Sequence, residues 1–143
     1  MRELIDIVES FGLPQRLYHG TSRSGWESIR ESNNLLAHDE LDFISFTEDY
    51  NTAFRFARDI ARKFGEKGDG VLLVFDGVKL AEHYHLNKCL GQGAFYGHKE
   101  WRIPVGVINL VSNFIVEVED NSARGDLYEN TRWDKKWAYG DEE

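Results

Sequence analysis

A stripe of apolar residues at helical spacing, between positions 50 and 64, constrains the fold more than any other feature of the sequence. The spacing is i, i+3, i+4, i+7, i+10, i+11 and i+14, as expected for one buried face of an α-helix. The residues of this stripe are Tyr50, Ala53, Phe54, Ala57, Ile60, Ala61 and Phe64. Thr47 can cap the start of the predicted helix and Gly65 can end it. Such a helix needs a second apolar layer to pack against.

Short apolar runs on both sides of this helix supply the second layer. Three runs of strand length predict β-strands at Gln15–His19, Phe43–Phe46 and Val71–Phe75. A helix is predicted over residues 2–10, and another over residues 25–33 with Trp26 and Ile29 facing inward. Helices and strands therefore alternate through the first half of the chain.

The second half of the sequence is rich in β-forming residues. Glu82–Leu86 predicts a strand, and residues 87–99, with several glycines at irregular spacing, predict a loop. Trp101–Leu110 and Phe114–Val118 are expected to pair through a turn near Ser112 and Asn113. We therefore expect an α+β fold with an antiparallel C-terminal half.

Length and composition favour one domain with a substantial core. The chain has 143 residues, of which 41% are hydrophobic and 13% aromatic. We assign residues 1–119 to the domain and 120–143 to a charged C-terminal extension, either docked or mobile. No apolar run approaches the roughly 20 residues of a membrane span, so no membrane partner is expected. A single cysteine, Cys89, is typical of a reducing compartment, which favours a cytoplasmic location.

The net charge bears on the choice of partner. Lys and Arg number 17 and Asp and Glu 25, giving −8, which disfavours binding to phosphate backbones. A local basic patch on the predicted helix would offset this, and its members are Arg55, Arg58, Arg62 and Lys63. A protein is therefore the favoured macromolecular partner and a nucleic acid the less favoured one. No pattern in the sequence points to an oligomeric state.

Four features carry residues suited to chemistry. The segment Tyr18-His19-Gly20-Thr21 ends a strand with a histidine, and its glycine lets a ligand approach the backbone. Ser45 lies in an apolar strand, where its hydroxyl needs a neighbouring strand or a polar ligand as partner. Phe56 flanks the apolar stripe and either covers the core edge or offers its ring to a planar ligand. Glu100 begins a strand, a position that suits a catalytic carboxylate or a glutamate paired with a nearby arginine.

Three of these segments together resemble the ADP-ribosyltransferase superfamily, in the branch that contains diphtheria-toxin-like transferases and poly-ADP-ribose polymerases. They are Leu-Tyr-His-Gly-Thr at 17–21, Phe-Ile-Ser-Phe-Thr at 43–47 before an Ala- and Phe-rich helix, and Glu-Trp-Arg-Ile at 100–103. The resemblance covers residues 16 to about 119. It implies a split β-sandwich of two antiparallel-rich sheets with flanking helices. It also implies NAD as substrate and release of nicotinamide.

The resemblance implies a role for each matching residue. His19 would contact the adenosine ribose of NAD, Gly20 the nicotinamide carboxamide, and Glu100 would be catalytic. Ser45 occupies the place of a stacking tyrosine in this branch, and Phe56 lies near a second stacking aromatic. Thr21 belongs to the first signature. If NAD is the substrate, Arg23 is either the cation that binds its diphosphate or a solvated charge. Tyr18 is an alternative to Phe56 as the ring that stacks on nicotinamide.

The segment before Glu100 helps to select the acceptor in this superfamily. The resemblance therefore implies target contacts for Phe95, Tyr96 and His98, and His98 stands where arginine-modifying members carry Glu or Gln. The residue-level alternative is that the two aromatics pack into the core.

Two other outcomes use the same candidate site. NAD hydrolysis would differ from transfer only in having water as the acceptor. Because Ser45 replaces the motif tyrosine, the domain could also bind NAD, ADP-ribose or another nucleotide without cleaving it. No metal is expected, since His83, His85 and Cys89 have neither a fourth ligand nor a recognisable zinc spacing.

Overall fold

A computed structural model describes residues 14–38, 41–90 and 99–123 of the chain. In chain order its elements are β1 (Arg16–Thr21), α1 (Arg23–Ser32), β2 (Asn34–Leu36), β3 (Ile44–Thr47), α2 (Tyr50–Lys63), β4 (Val71–Asp76), α3 (Gly77–His83), β5 (Asn87–Leu90), β6 (Lys99–Ile103), β7 (Val107–Asn109), a 3-10 turn (Val111–Asn113) and β8 (Ile115–Asp120). The helix predicted over residues 2–10 and most of the extension 120–143 lie outside the described residues.

The strands form one large and one small antiparallel sheet. The six-stranded sheet has the order β5-β6-β3-β1-β4-β8, and β2 pairs with β7 in a separate two-stranded sheet. Every described strand pair is antiparallel. The expected α+β class is therefore confirmed. Among the described residues, no helix is long and apolar enough to cross a membrane.

Helix α2 forms where the stripe predicts it, but Tyr50 and Phe64, the two ends of the stripe, are exposed rather than buried. Its alanines at 53, 57 and 61 are buried, and the helix ends at Lys63 just before Gly65, which adopts a positive φ of 81°. The predicted cap at Thr47 is wrong, because the side chain of Asp49 accepts the hydrogen bond from the backbone N–H of Thr52. Thr47 is buried, and its hydroxyl oxygen instead accepts from the backbone N–H of Asp49 at 3.1 Å.

Helix α1 contributes to the main core as its spacing predicted. Trp26 and Ile29 are its buried residues, and both belong to a single apolar cluster that includes Phe46, Phe75 and Trp101 from the large sheet. Since these residues come from both ends of the described chain, the core joins α1, both sheets and the 3-10 turn into one body.

The predicted strand at Glu82–Leu86 is wrong. Asp76 ends β4 and accepts hydrogen bonds from the backbone N–H groups of Val78 and Lys79, so that a helix, α3, begins directly after the strand. Part of the loop predicted at 87–99 is also strand, because Asn87–Leu90 pairs with β6.

The predicted pairing of Trp101–Leu110 with Phe114–Val118 is wrong as well. The run is interrupted after Ile103, where Pro104 has no N–H to continue the ladder. The second piece of the run, β7, pairs with β2, while β8 pairs with β4 from Val71 opposite Asp120 onward. Strands β7 and β8 therefore lie in different sheets, and β6 lies in the same sheet as β8 but does not pair with it.

Candidate functional site

The site lies where the large sheet opens between β1 and β3. Strand β1 pairs with β4 along its whole length, from Arg16 to Thr21, but its register with β3 is confined to Tyr18 opposite Thr47. Beyond this position the residues of both strands line a cleft of about 470 Å³. The cleft is closed on other sides by residues of α1, β2, α2 and β6.

Six residues singled out in the sequence line this one cleft. They are His19, Gly20, Thr21, Ser45, Phe56 and Glu100. A concave, largely apolar cleft with a few convergent polar groups is the usual form of a small-molecule site.

Glu100 supplies the carboxylate of the site. It lies on β6 opposite Thr47 of β3 and is 2% exposed. Its Oε2 accepts a hydrogen bond from the Ser45 hydroxyl at 2.5 Å and another from Arg102 Nε at 2.9 Å, while its Oε1 lies 3.4 Å from Arg102 Nη2. A buried carboxylate requires such partners.

His19 reaches across the opening to β3. Its Nδ1 lies 2.9 Å from the backbone oxygen of Ser45. Because a carbonyl oxygen can only accept, Nδ1 carries the proton. Burial lowers the pKa of the imidazole below 6.5; the bond to Ser45 opposes this decrease and His38 adds to it. The neutral ring then has an unprotonated Nε2, which is a hydrogen-bond acceptor.

Ser45 connects the histidine to the glutamate. Its backbone oxygen accepts from His19, and its side chain donates to Glu100. A tyrosine cannot make this short side-chain contact from the same position, since its hydroxyl lies at the far end of an aromatic ring. Ser45 is thus the link between His19 and Glu100.

Helix α2 forms one wall of the cleft through Phe56 and Ile60. The helix can approach β1 because Gly20 has no side chain: a Cβ there would lie 2.6 Å from the backbone oxygen of Ala53 and 2.9 Å from Cβ of Ala57. Gly20 therefore both lines the cleft and permits the packing that places Phe56 in it.

Arg23 and Tyr18 are not brought to this cleft. Arg23 lies beside a separate hollow of about 310 Å³, where its exposed side chain pairs with Glu27 at 3.3 Å. Its backbone N–H donates to the carboxylate of Glu66 at 2.8 Å. The ring of Tyr18 packs edge-on against Tyr50, with centroids 5.8 Å apart.

Several cleft residues were missed or undervalued in the sequence. Arg102 lies two positions after Glu100 on β6, so that both side chains are on the same face of the strand, and the two pair. Among the described residues that line the cleft, Arg102 is the only arginine or lysine. The apolar wall contains Ile29, Leu35 and Phe43. No local pattern marks these three, because they come from three separate segments.

The acceptor-contact residues Phe95, Tyr96 and His98 lie outside the described residues. Within the part of the chain that the structure describes, no group of three or more His, Cys, Asp or Glu side chains is placed to hold a metal ion.

The sequence was compared with known proteins. No protein-family model matches it, and a search of curated proteins found no significant match.

Proposed function

We propose that this chain binds NAD in the cleft between β1 and β3 and transfers ADP-ribose to a macromolecular acceptor, releasing nicotinamide. One observation carries the proposal: His19, Ser45 and Glu100 are joined by hydrogen bonds inside a single cleft. Ser45 lies 26 positions after His19 and 55 positions before Glu100, so the fold brings together residues that are distant in the sequence. The sequence resemblance supplies the identity of the substrate.

The chemistry of transfer suits a buried carboxylate. The bond between the nicotinamide nitrogen and C1′ of the ribose breaks, its electron pair leaves with nicotinamide, and positive charge develops at C1′. Glu100, which is buried, stabilises this charge electrostatically. The acceptor nucleophile then bonds to C1′ and releases its proton to solvent.

Other cleft residues would hold the substrate. With Nδ1 committed to Ser45, the His19 ring presents Nε2 as an acceptor for a ribose hydroxyl. Phe56 offers an apolar ring to the planar nicotinamide. Gly20 lines the cleft beside His19 and Thr21.

The direct test is release of nicotinamide from NAD by wild type, Glu100→Gln and Glu82→Gln. Glu82 lies on α3 away from the cleft and is the matched control. Wild type and Glu82→Gln should release nicotinamide, and Glu100→Gln should be slower by about a hundredfold or more. Thermal melting confirms that each variant is folded. A folded Glu100→Gln variant with the full rate would contradict the proposal.

Binding without cleavage is the second candidate function. It is favoured by the carboxylate of Glu100, whose oxygens are already engaged by Ser45 and Arg102. Saturable NAD binding with no nicotinamide release, even with cell lysate as a source of acceptors, would select it. If nicotinamide is released and all the ADP-ribose is recovered free, water is the acceptor and the protein is an NAD glycohydrolase.

A further inference from the structure

The guanidinium of Arg102 is held from two sides. On one side its Nε and Nη2 meet the two oxygens of Glu100, at 2.9 and 3.4 Å. On the other, its central carbon lies 4.1 Å from the ring centroid of Phe43, well within the range of a cation–π contact. The Arg102 side chain is 33% exposed and that of Glu100 is 3% exposed, so the pair is partly shielded from water.

The two carboxylate oxygens of Glu100 differ in their hydrogen-bond partners. Oε2 receives both short hydrogen bonds, from Ser45 and from Arg102 Nε. Among the residues that the structure describes, Oε1 has only the longer contact with Arg102 Nη2. The carboxylate plane is therefore fixed by donors on two strands, and Oε1 retains the greater capacity to accept a hydrogen bond from a ligand.

We propose that Arg102 is a positioning residue, which together with Phe43 fixes the carboxylate of Glu100 so that Oε1 faces the substrate. The kinetic part of this inference rests on the proposed function, whereas the contact itself does not. Arginine suits the task because its rigid planar fork can bond a carboxylate and stack on an aromatic ring at the same time. Lysine retains the charge but cannot reproduce this geometry.

The alternative role for Arg102 is to bind an anionic group of the substrate. Such a role requires its N–H groups to point at the substrate. Nε and Nη2 are instead directed at Glu100, and the guanidinium lies over the Phe43 ring. These contacts direct two of the five N–H groups of Arg102 at Glu100, and this geometry favours a role that acts through Glu100.

Steady-state kinetics separate the two roles. Arg102→Gln should lower kcat for nicotinamide release by about tenfold to a hundredfold, the cost of misplacing a catalytic group, with KM for NAD within about twofold of wild type. Arg102→Lys should recover part of the loss, and Phe43→Leu should lower kcat in the same direction. Arg16→Gln, at the exposed start of β1 and outside the cleft, is the matched control and should match wild type. A raised KM with unchanged kcat in Arg102→Gln would overturn the proposal.

A second measurement is independent of catalysis. In protein labelled with ¹⁵N-arginine, the Nε proton of Arg102 should exchange with water more slowly than that of the exposed Arg55, and Phe43→Leu should speed its exchange. Equal exchange at Arg102 and Arg55 would overturn the positioning role, whether or not the protein cleaves NAD. Slow exchange in a protein that releases no nicotinamide would instead retain the contact and reject the proposed function. The exchange measurement does not use Arg102→Gln, so it tests the positioning role even if that variant fails to fold.

Discussion

Ser45 makes two hydrogen bonds that join three strands of the large sheet. Its backbone oxygen is bound by His19 of β1, and its hydroxyl is bound to Glu100 of β6. Where β1 and β3 no longer share a regular ladder, the His19 imidazole donates a hydrogen bond to a backbone carbonyl of β3 and so links the two strands. The same contact fixes the tautomer of His19 and leaves Nε2 as an acceptor.

Protonation of His19 should couple the stability of the fold to pH. Burial holds its pKa in the folded protein below the ordinary 6.5, so the unfolded chain binds more protons near that pH. Stability from this group is therefore complete above about pH 6.5 and is lost as the pH falls toward the folded pKa, by at most about 1.4 kcal/mol per pH unit.

Urea unfolding at pH 7.5 and pH 5.5, for wild type and His19→Gln, measures this coupling. Wild type should lose more free energy of unfolding between the two pH values than the variant does. His38, Glu100 and Arg102 also line the cleft and are present in both proteins, so the difference between them isolates His19. An equal loss in the two proteins would show that His19 has no lowered pKa.

At the scale of elements, the placement of α2 against β1 decides the shape of the cleft. The helix crosses β1 at Gly20, and a side chain there would collide with the backbone of Ala53 and with Ala57. This close approach brings Phe56 and Ile60 to the opening between the strands. Glycine at this position of β1 is thus a requirement of helix–strand packing.

Replacing Gly20 with alanine should therefore destabilise the fold. The added Cβ overpacks the helix–strand contact, for which we expect a loss of about 1–3 kcal/mol in the free energy of unfolding. Gly106→Ala is the matched control, since no atom lies within 4 Å of the Cβ that it would add. That variant should be neutral or more stable by up to about 1 kcal/mol. Equal stabilities for the two variants, measured by urea unfolding, would contradict this packing.

The elements that sequence reasoning predicted are those defined by local signals. The periodicity of α2 and the apolar run of β4 are complete within their own segments. The strand partners of β7 and β8 depend on contacts with β2 and β4, far away in the chain, and no local pattern contains them. Helix α3 is not predicted from the sequence, because Asp76, which caps it, is also the last residue of the apolar strand β4. For the site, motif residues were predicted, but their connection through Ser45 required the sheet register.

At the scale of the whole molecule, two hollows lie on different sides of α1. The cleft at the opening between β1 and β3 is largely apolar and contains Glu100 and His19. The hollow beside Arg23 is lined by charged groups of both signs, including Arg30, Glu27 and Asp120. Arg23, the residue that the sequence suggests as the cation for the diphosphate, lies at this second hollow. Binding of NAD at the hollow and binding of NAD in the cleft are therefore two distinguishable outcomes.

Mapping NAD on the Glu100→Gln protein by amide NMR tests the central claim, that the opening between β1 and β3 is the NAD site. This variant should be too slow to consume NAD during the measurement. We predict saturable chemical-shift changes at His19, Gly20, Thr21 and Ser45, with little change around Arg30. Shifts confined to the hollow beside Arg23, or no saturable shifts at millimolar NAD, would contradict the claim.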